Sequence, residues 1–283
     1  MFKQEEKHIT DQDVIISLPH NRKEVFFDLL KHRKMNLFAL SCFTFMFFIP
    51  LAVDLFYFNF LESVAIANEM DEYLFSLVFY SMLIMLPCMI IGFLGLAGAF
   101  YVVKKIVWQE GTSLSVDFFQ GIKENWKHAL INGAIFGIVL FGLIMGGSYF
   151  IIFSPVAPVW SGIGIGALIL LFIVIGIVLS MFFTQDVYYV NPYGTTFKNS
   201  FLFMGILNWK LLVLFVLSTG LVVGLCCINM ITLGIGLFLF AVFNSVVVLL
   251  YTLISHSAFD KYINKEHHPE MVGKGLYKDD KEA

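Results

Sequence analysis

Five side chains have the right chemistry for proton transfer: Asp117, His128, Asp186, His256 and Asp260. General acid–base work needs a histidine or carboxylate held within hydrogen-bond reach of a reacting group. No two of these five stand at a diagnostic spacing, and no Ser, His and Asp set converges along the chain. Glu69, Asp71 and Glu72 carry oxygen ligands suited to a divalent cation, although a solvated acidic segment is the commoner meaning of such a cluster. His267 and His268, before Pro269, supply two imidazoles in a polar stretch and no third ligand. Cys42, Cys88, Cys226 and Cys227 fall within or at the ends of apolar runs without zinc or redox spacing, and read as small apolar fillers.

The glycines repeat the lesson. Gly92, Gly95 and Gly98 form one spaced run, and Gly162, Gly164 and Gly166 another. Neither follows a strand in a βαβ unit, so a phosphate-binding loop is not indicated. Small residues at these spacings, like Gly133 with Gly137 and Gly220 with Gly224, let helices approach closely. The residues thus point to no enzyme, no cofactor and no metal site.

The elements that carry these residues are apolar. Of 283 residues, 59% are hydrophobic, 17% aromatic and 14% charged, with 32 Phe. A soluble domain has about 25% charged residues. That deficit excludes an ordinary soluble enzyme, a nucleic-acid-binding protein and a disordered regulator. About 20 apolar residues in helical form cross a hydrocarbon core of about 30 Å. Six segments qualify: residues 36–53, 73–103, 129–153, 159–184, 211–228 and 232–255. They predict an all-α polytopic membrane protein, with three hairpins over 36–255, an N-terminal segment 1–35 and a polar tail 256–283. The second segment contains Pro87 and must tilt, kink or run past the interface. The first 35 residues have no signal-peptide pattern, so the first span is expected to remain as an anchor.

All 18 Lys and Arg fall before the first span, at residues 104–127, at Lys198 and Lys210, or after the sixth span. The alternate connections have none, and residues 54–72 instead hold Asp54, Glu62, Glu69, Asp71 and Glu72. The positive-inside rule then predicts cytoplasmic termini and an external acidic loop 54–72.

The six spans as drawn contain no Asp, Glu, Lys, Arg or His, Asp54 lying just past the first. Intramembrane charge marks ion and proton pathways, and its absence speaks against a coupled carrier. A carrier of neutral solute would use Asn244, Ser245 and Ser148, with Asn132 shallower. Asn244 is expected to hydrogen-bond to a neighbouring helix.

Asn125-Trp126-Lys127 recurs as Asn208-Trp209-Lys210, with Phe118 matching Phe201 and Gly137 matching Gly220 at the same offset of 83. Trp at headgroup depth beside Lys anchors a helix at an interface. An amphipathic stretch precedes each copy, and a third covers 21–34, all suited to lying on the cytoplasmic surface. The repeat, if it relates two hairpins, is parallel rather than inverted.

Leu86-Pro87, Gly95-Leu96-Ala97-Gly98-Ala99, Tyr101 to Lys105, Glu110, Asp117-Phe118-Phe119 and Ile122 to Lys127 together resemble the YesL-like family of bacterial integral membrane proteins. The likeness covers residues 24 to 215 and is densest over 86–130. Where that family has a Gly-Pro pair, this chain has Gly95-Leu96. The resemblance implies a polytopic helical protein of the bacterial cytoplasmic membrane, of unknown activity and without catalytic residues to carry over. It also implies a setting beside sugar-uptake systems and glycan-degrading enzymes. The expectation is an accessory component bound to an ABC permease or another membrane subunit, or to itself. The alternative is a stand-alone transporter or channel for a neutral solute.

Overall fold

The computed structural model describes residues 19–68 and 70–277, with the side chains of residues 71, 72 and 208 outside the description. The described residues form helices joined by short turns, without strands. Six helices are long and apolar enough to cross a membrane. The chain is an all-α multi-pass membrane protein.

Asn21 opens α1, Arg22–His32, by accepting hydrogen bonds from the backbone of Lys23 and Glu24, while the His20 N–H donates to the Glu24 carboxylate at 2.7 Å. This reciprocal cap starts the helix. Val25 and Leu29 of α1 are buried at the end of the bundle, so its apolar stripe meets protein. Then follow α2, Lys34–Ala67, and α3, Asp71–Val107. Next come α4, Leu114–Phe153, and α5, Pro158–Asp186. Pro158 begins α5 at a position where its missing N–H costs nothing.

The fifth span is composite: α6, Tyr193–Phe215, then a π-helical turn, Val216–Gly220, then α7, Leu221–Cys226. Asn229 and Thr232 form a capping box that starts α8, Met230–Phe259. A second π turn, Asp260–Asn264, leads to a short α9, Lys265–His267, and a 3-10 turn, Pro269–Met271.

Helix lengths depart from the hydropathy spans for a physical reason. Hydropathy marks where side chains tolerate lipid, whereas a helix continues while its backbone bonds do. Thus α2 runs on to Ala67 and absorbs most of the acidic segment expected as a loop. Residues 116–126 and 197–208, expected as separate interfacial helices, are the first turns of α4 and α6. At 40 residues, α4 is about 60 Å long, twice the hydrocarbon core.

Helices α3 and α4 pair along their lengths, antiparallel and close. A Cβ at Gly98 would come within 2.8 Å of the Phe118 carbonyl oxygen, and one at Gly133 within 2.8 Å of the Ile90 Cα. The spaced glycines of α3 and the Gly133–Gly137 pair therefore serve packing, as expected. Gly162, Gly166 and Gly224 meet nothing within 4 Å, so the same reading fails there. The last turns of α3, including Ala97, Val102, Val103 and Val107, are fully buried. The end of the long second span is thus sheathed in protein.

The first and last described residues, Pro19 and Tyr277, meet at one end of the bundle, where the Tyr277 N–H donates to the Pro19 carbonyl at 3.0 Å. This end is the terminal face, and the opposite one the far face. Residues from His267 to Tyr277, within the expected polar tail, are folded here. Gly275, at φ +82, lies so close to the Val107 carbonyl that no Cβ fits. Residues 278–283 lie outside the described ones.

Candidate functional site

The terminal face gathers residues separated by more than two hundred positions. Arg22 donates from Nη2 to Asp260 Oδ2 at 3.0 Å and from Nη1 to the Lys274 carbonyl at 2.9 Å. Asp260 Oδ1 accepts from Asn264 at 2.8 Å, and Asn264 Oδ1 accepts the Tyr189 hydroxyl at 2.6 Å. The Trp108 indole N–H donates to His256 Nε2 at 3.0 Å. An indole can only donate, so Nε2 is the acceptor and the imidazole proton sits on Nδ1, which faces Asp260 Oδ2 at 3.2 Å. Arg22 lies 2.8 Å from that same Nδ1. It supplies charge to Asp260 rather than a second bond to the ring.

Trp108 also lies against two lysines. Lys274 Nζ is 3.6 Å from its ring centroid and Lys104 Nζ 5.0 Å. Lys274 pairs with Glu110 at 2.9 Å, and Lys104 donates to the Val187 carbonyl at 2.6 Å. Burial pushes the Tyr188 and Tyr189 phenols above their ordinary range, so both remain neutral.

A second His–Asp pair joins α4 to α5, with His128 Nδ1 2.6 Å from Asp186 Oδ1. Beside it the Tyr193 hydroxyl donates to Asn132 Oδ1 at 2.8 Å. Asp117 accepts from Lys105 at 2.7 Å and from the Ser113 backbone at 2.8 Å. The five ionisable residues singled out in the sequence are thus all committed to partners that local spacing did not reveal, except that Asp260 and His256 stand one turn apart. Apart from the one-turn contacts His256–Asp260, Asp260–Asn264 and Ser113–Asp117, their bonds join helices. Among the described residues no three His, Cys, Asp or Glu gather to hold a metal. Glu69, Asp71 and Glu72 lie outside the described side chains.

The interior is of another kind. A cavity of about 620 Å³ lies between all six spans. Phe48, Met89, Phe93, Phe136, Phe183 and Val248 are among its lining. Asn244 lines it and is buried, yet its Nδ2 has no hydrogen-bond partner among the described residues. The helix-to-helix bond expected of Asn244 is therefore not made. Ser245 turns the other way, where its backbone N–H donates to Ser41 Oγ at 2.9 Å and its hydroxyl accepts from the same group at 2.9 Å. Ser148 donates to the Ile144 carbonyl of its own helix at 2.9 Å. Asn132 belongs to the terminal-face cluster. The four polar candidates do not converge on a pore.

Of the interfacial residues, Trp126 and Trp209 are exposed, and Lys127 Nζ lies 5.7 Å from the Trp126 ring centroid. Asn125 donates to the Gly121 carbonyl at 3.0 Å. Lys210 is exposed and borders the cavity. The side chain of Asn208 lies outside the described ones.

Sequence reasoning missed Asp54. Because α2 continues to Ala67, Asp54 sits within a span helix, 7% exposed. The Ser81 hydroxyl donates to its Oδ2 at 3.4 Å. Its place on one face with Leu51 and Leu55 gave no sign of this without the true end of the helix. Tyr251, also missed, lines the cavity, and its hydroxyl forms no well-aligned hydrogen bond among the described residues. It stands seven residues after Asn244, on the same face of α8.

No protein-family model matches this chain, and neither the curated proteins nor the solved structures contain a match.

Proposed function

We propose that this chain is an accessory component of a bacterial membrane assembly, bound to a larger membrane partner and itself neither conducting solute nor catalysing a reaction. The observation that carries the reading is the closed terminal face. There α1, the ends of α3 and α8 and the segment from Lys265 to Tyr277 lock together through Arg22, Asp260, His256 and Trp108. Behind this cap the interior is lined by apolar side chains, poor surroundings for a hydrophilic solute. A rigid cap with exposed Lys123, Lys127 and Lys198 suits docking. The distribution of basic residues supports a cytoplasmic position for it. The resemblance to YesL-like proteins supports a partner in sugar uptake or glycan use, an ABC permease first.

Crosslinking mass spectrometry on intact cells, with a tagged copy at native expression, tests this. The expected result is a dominant membrane subunit joined through Lys123, Lys127 or Lys198. Crosslinks only within the protein itself, together with solute flux into liposomes containing this chain alone, would overturn it in favour of the stand-alone carrier.

A further inference from the structure

The bundle leaves two buried donors without a well-formed hydrogen bond among the described residues, both on the lining of one apolar chamber. Asn244 Nδ2 and the Tyr251 hydroxyl both face surroundings in which an unpaired polar group is costly. Both residues are more than nine-tenths buried. Two turns of α8 separate them, about 10 Å along the axis. Tyr251 lies beside Ser180 and Ser218, whose protons go to carbonyls of their own helices, Gly176 at 2.9 Å and Leu214 at 2.6 Å, and whose oxygens keep lone pairs on the side of the phenol. Their geometry satisfies no bond with the phenol.

The wall opposite is irregular in a meaningful place. The π turn Val216–Gly220 carries Ser218 and Thr219 on the chamber's lining, and single π turns within helices recur at functional sites. Leu217, Leu221 and Phe243 line the chamber and are also exposed on the flank of the bundle. The chamber is therefore reached from the lipid side, beneath the π turn. Its volume of about 620 Å³ is that of a small-molecule site, about 300–1,000 Å³, enough for one long chain. Lys210, exposed, is the one charged residue on its lining among the described residues.

We propose that this chamber binds a neutral, single-chain amphiphile from the bilayer, whose oxygen atoms accept hydrogen bonds from Asn244 and Tyr251. The chain lies among the phenylalanines. Carbonyl, ether or hydroxyl oxygens answer the two donors. Uncharged chemistry is required because nothing at depth on the lining would balance a charge.

The test uses the full-length protein in phosphatidylcholine nanodiscs with a monoacylglycerol carrying a diazirine in its chain. After photolysis, labelled residues are located by mass spectrometry. Label is expected on inward residues such as Leu179 and Val248, in addition to outward ones such as Phe238. The near-isosteric pair Asn244→Leu and Tyr251→Phe should cut inward label at least fivefold and leave outward label unchanged. Should that variant not fold, unlabelled monoolein in hundredfold excess should displace the inward label from the unaltered protein. A phosphatidylglycerol bearing the diazirine, with and without Lys210→Gln, separates a free amphiphile from the chain of a bulk phospholipid. Inward label from it that falls with Lys210→Gln, and none from the monoacylglycerol, assigns the chamber to phospholipid and overturns a neutral ligand. Label on outward residues alone, inward label indifferent to the paired substitutions, or failure of monoolein to compete would each overturn the proposal.

Discussion

The two halves of the bundle are built to different standards. Toward the terminal face, α3 from Ala97 to Val107 and α5 from Ile177 to Gln185 are buried almost without interruption. Many polar side chains there find partners on other helices, although Arg22 Nε, Asn132 Nδ2, Gln185 Oε1, Asp186 Oδ2 and the Tyr188 hydroxyl have none among the described residues, and glycines bring backbones together. Toward the far face, residues of α5 from Pro158 to Leu171 are largely exposed, and α4 beyond Leu140 is only half-buried. The chamber opens between these regimes. Dense packing with paired charges fixes one arrangement, while sparse packing leaves room for lipid and for a bound molecule. Sites that must admit ligands are drawn from the less stable parts of proteins, and here stability and space are assigned to opposite ends.

The largest expected effect comes from opening the cap. Arg22→Ala leaves Asp260 mostly buried without its cation, and such a loss costs about 3 kcal/mol. A lower thermal midpoint and proteolytic cleavage between Lys265 and Tyr277 are expected. Survival of the cap would mean that Trp108 and Glu110 suffice. Next comes Gly121→Ala, whose new methyl would collide with Tyr101 and cost about 2 kcal/mol by overpacking. The sharper form of this experiment is Gly142→Ala, where nothing lies within 4 Å. There stability should rise by up to about 1 kcal/mol from helix propensity, read as a higher thermal midpoint. Equal effects at both glycines would erase the contrast between the halves.

Smaller effects refine the comparison. Trp108→Phe keeps a ring for Lys104 and Lys274 but removes the donor to His256, for a loss of about 1 kcal/mol in thermal unfolding. Asp54→Asn can still accept from Ser81 and removes an ionisable group from a span helix. A gain of about 1 kcal/mol is expected, and a fall would show that the bundle depends on that carboxylate.

Much of this plan was legible in the sequence. The end of α4 at Phe153, the start of α5 at Pro158 and the placing of six spans follow from apolar length. The break in the last apolar stretch falls at Asn229, where Asn229 and Thr232 supply a capping signal that spacing alone could have revealed. The site was harder to read. Asn244 was visible as a mid-span amide, but Ser245 and Ser148 were grouped with it by depth alone. Depth does not give azimuth, and Ser245 faces Ser41 while Asn244 faces the chamber. Tyr251 passed as an ordinary aromatic. Asp54 passed as a loop residue because polarity was allowed to end a helix that its backbone continues.

The sequence by itself determined that this chain lives in a bilayer, crosses it six times and gathers its basic residues at one face, because those properties depend on composition and local periodicity. Only the tertiary structure decided that Arg22 meets Asp260, 238 residues away, and that a polar tail folds around Gly275. It alone decided that two buried donors share an apolar chamber. Such pairings leave no local pattern. They are set by how helices rotate and cross, and that is fixed by the sum of packing over the whole bundle.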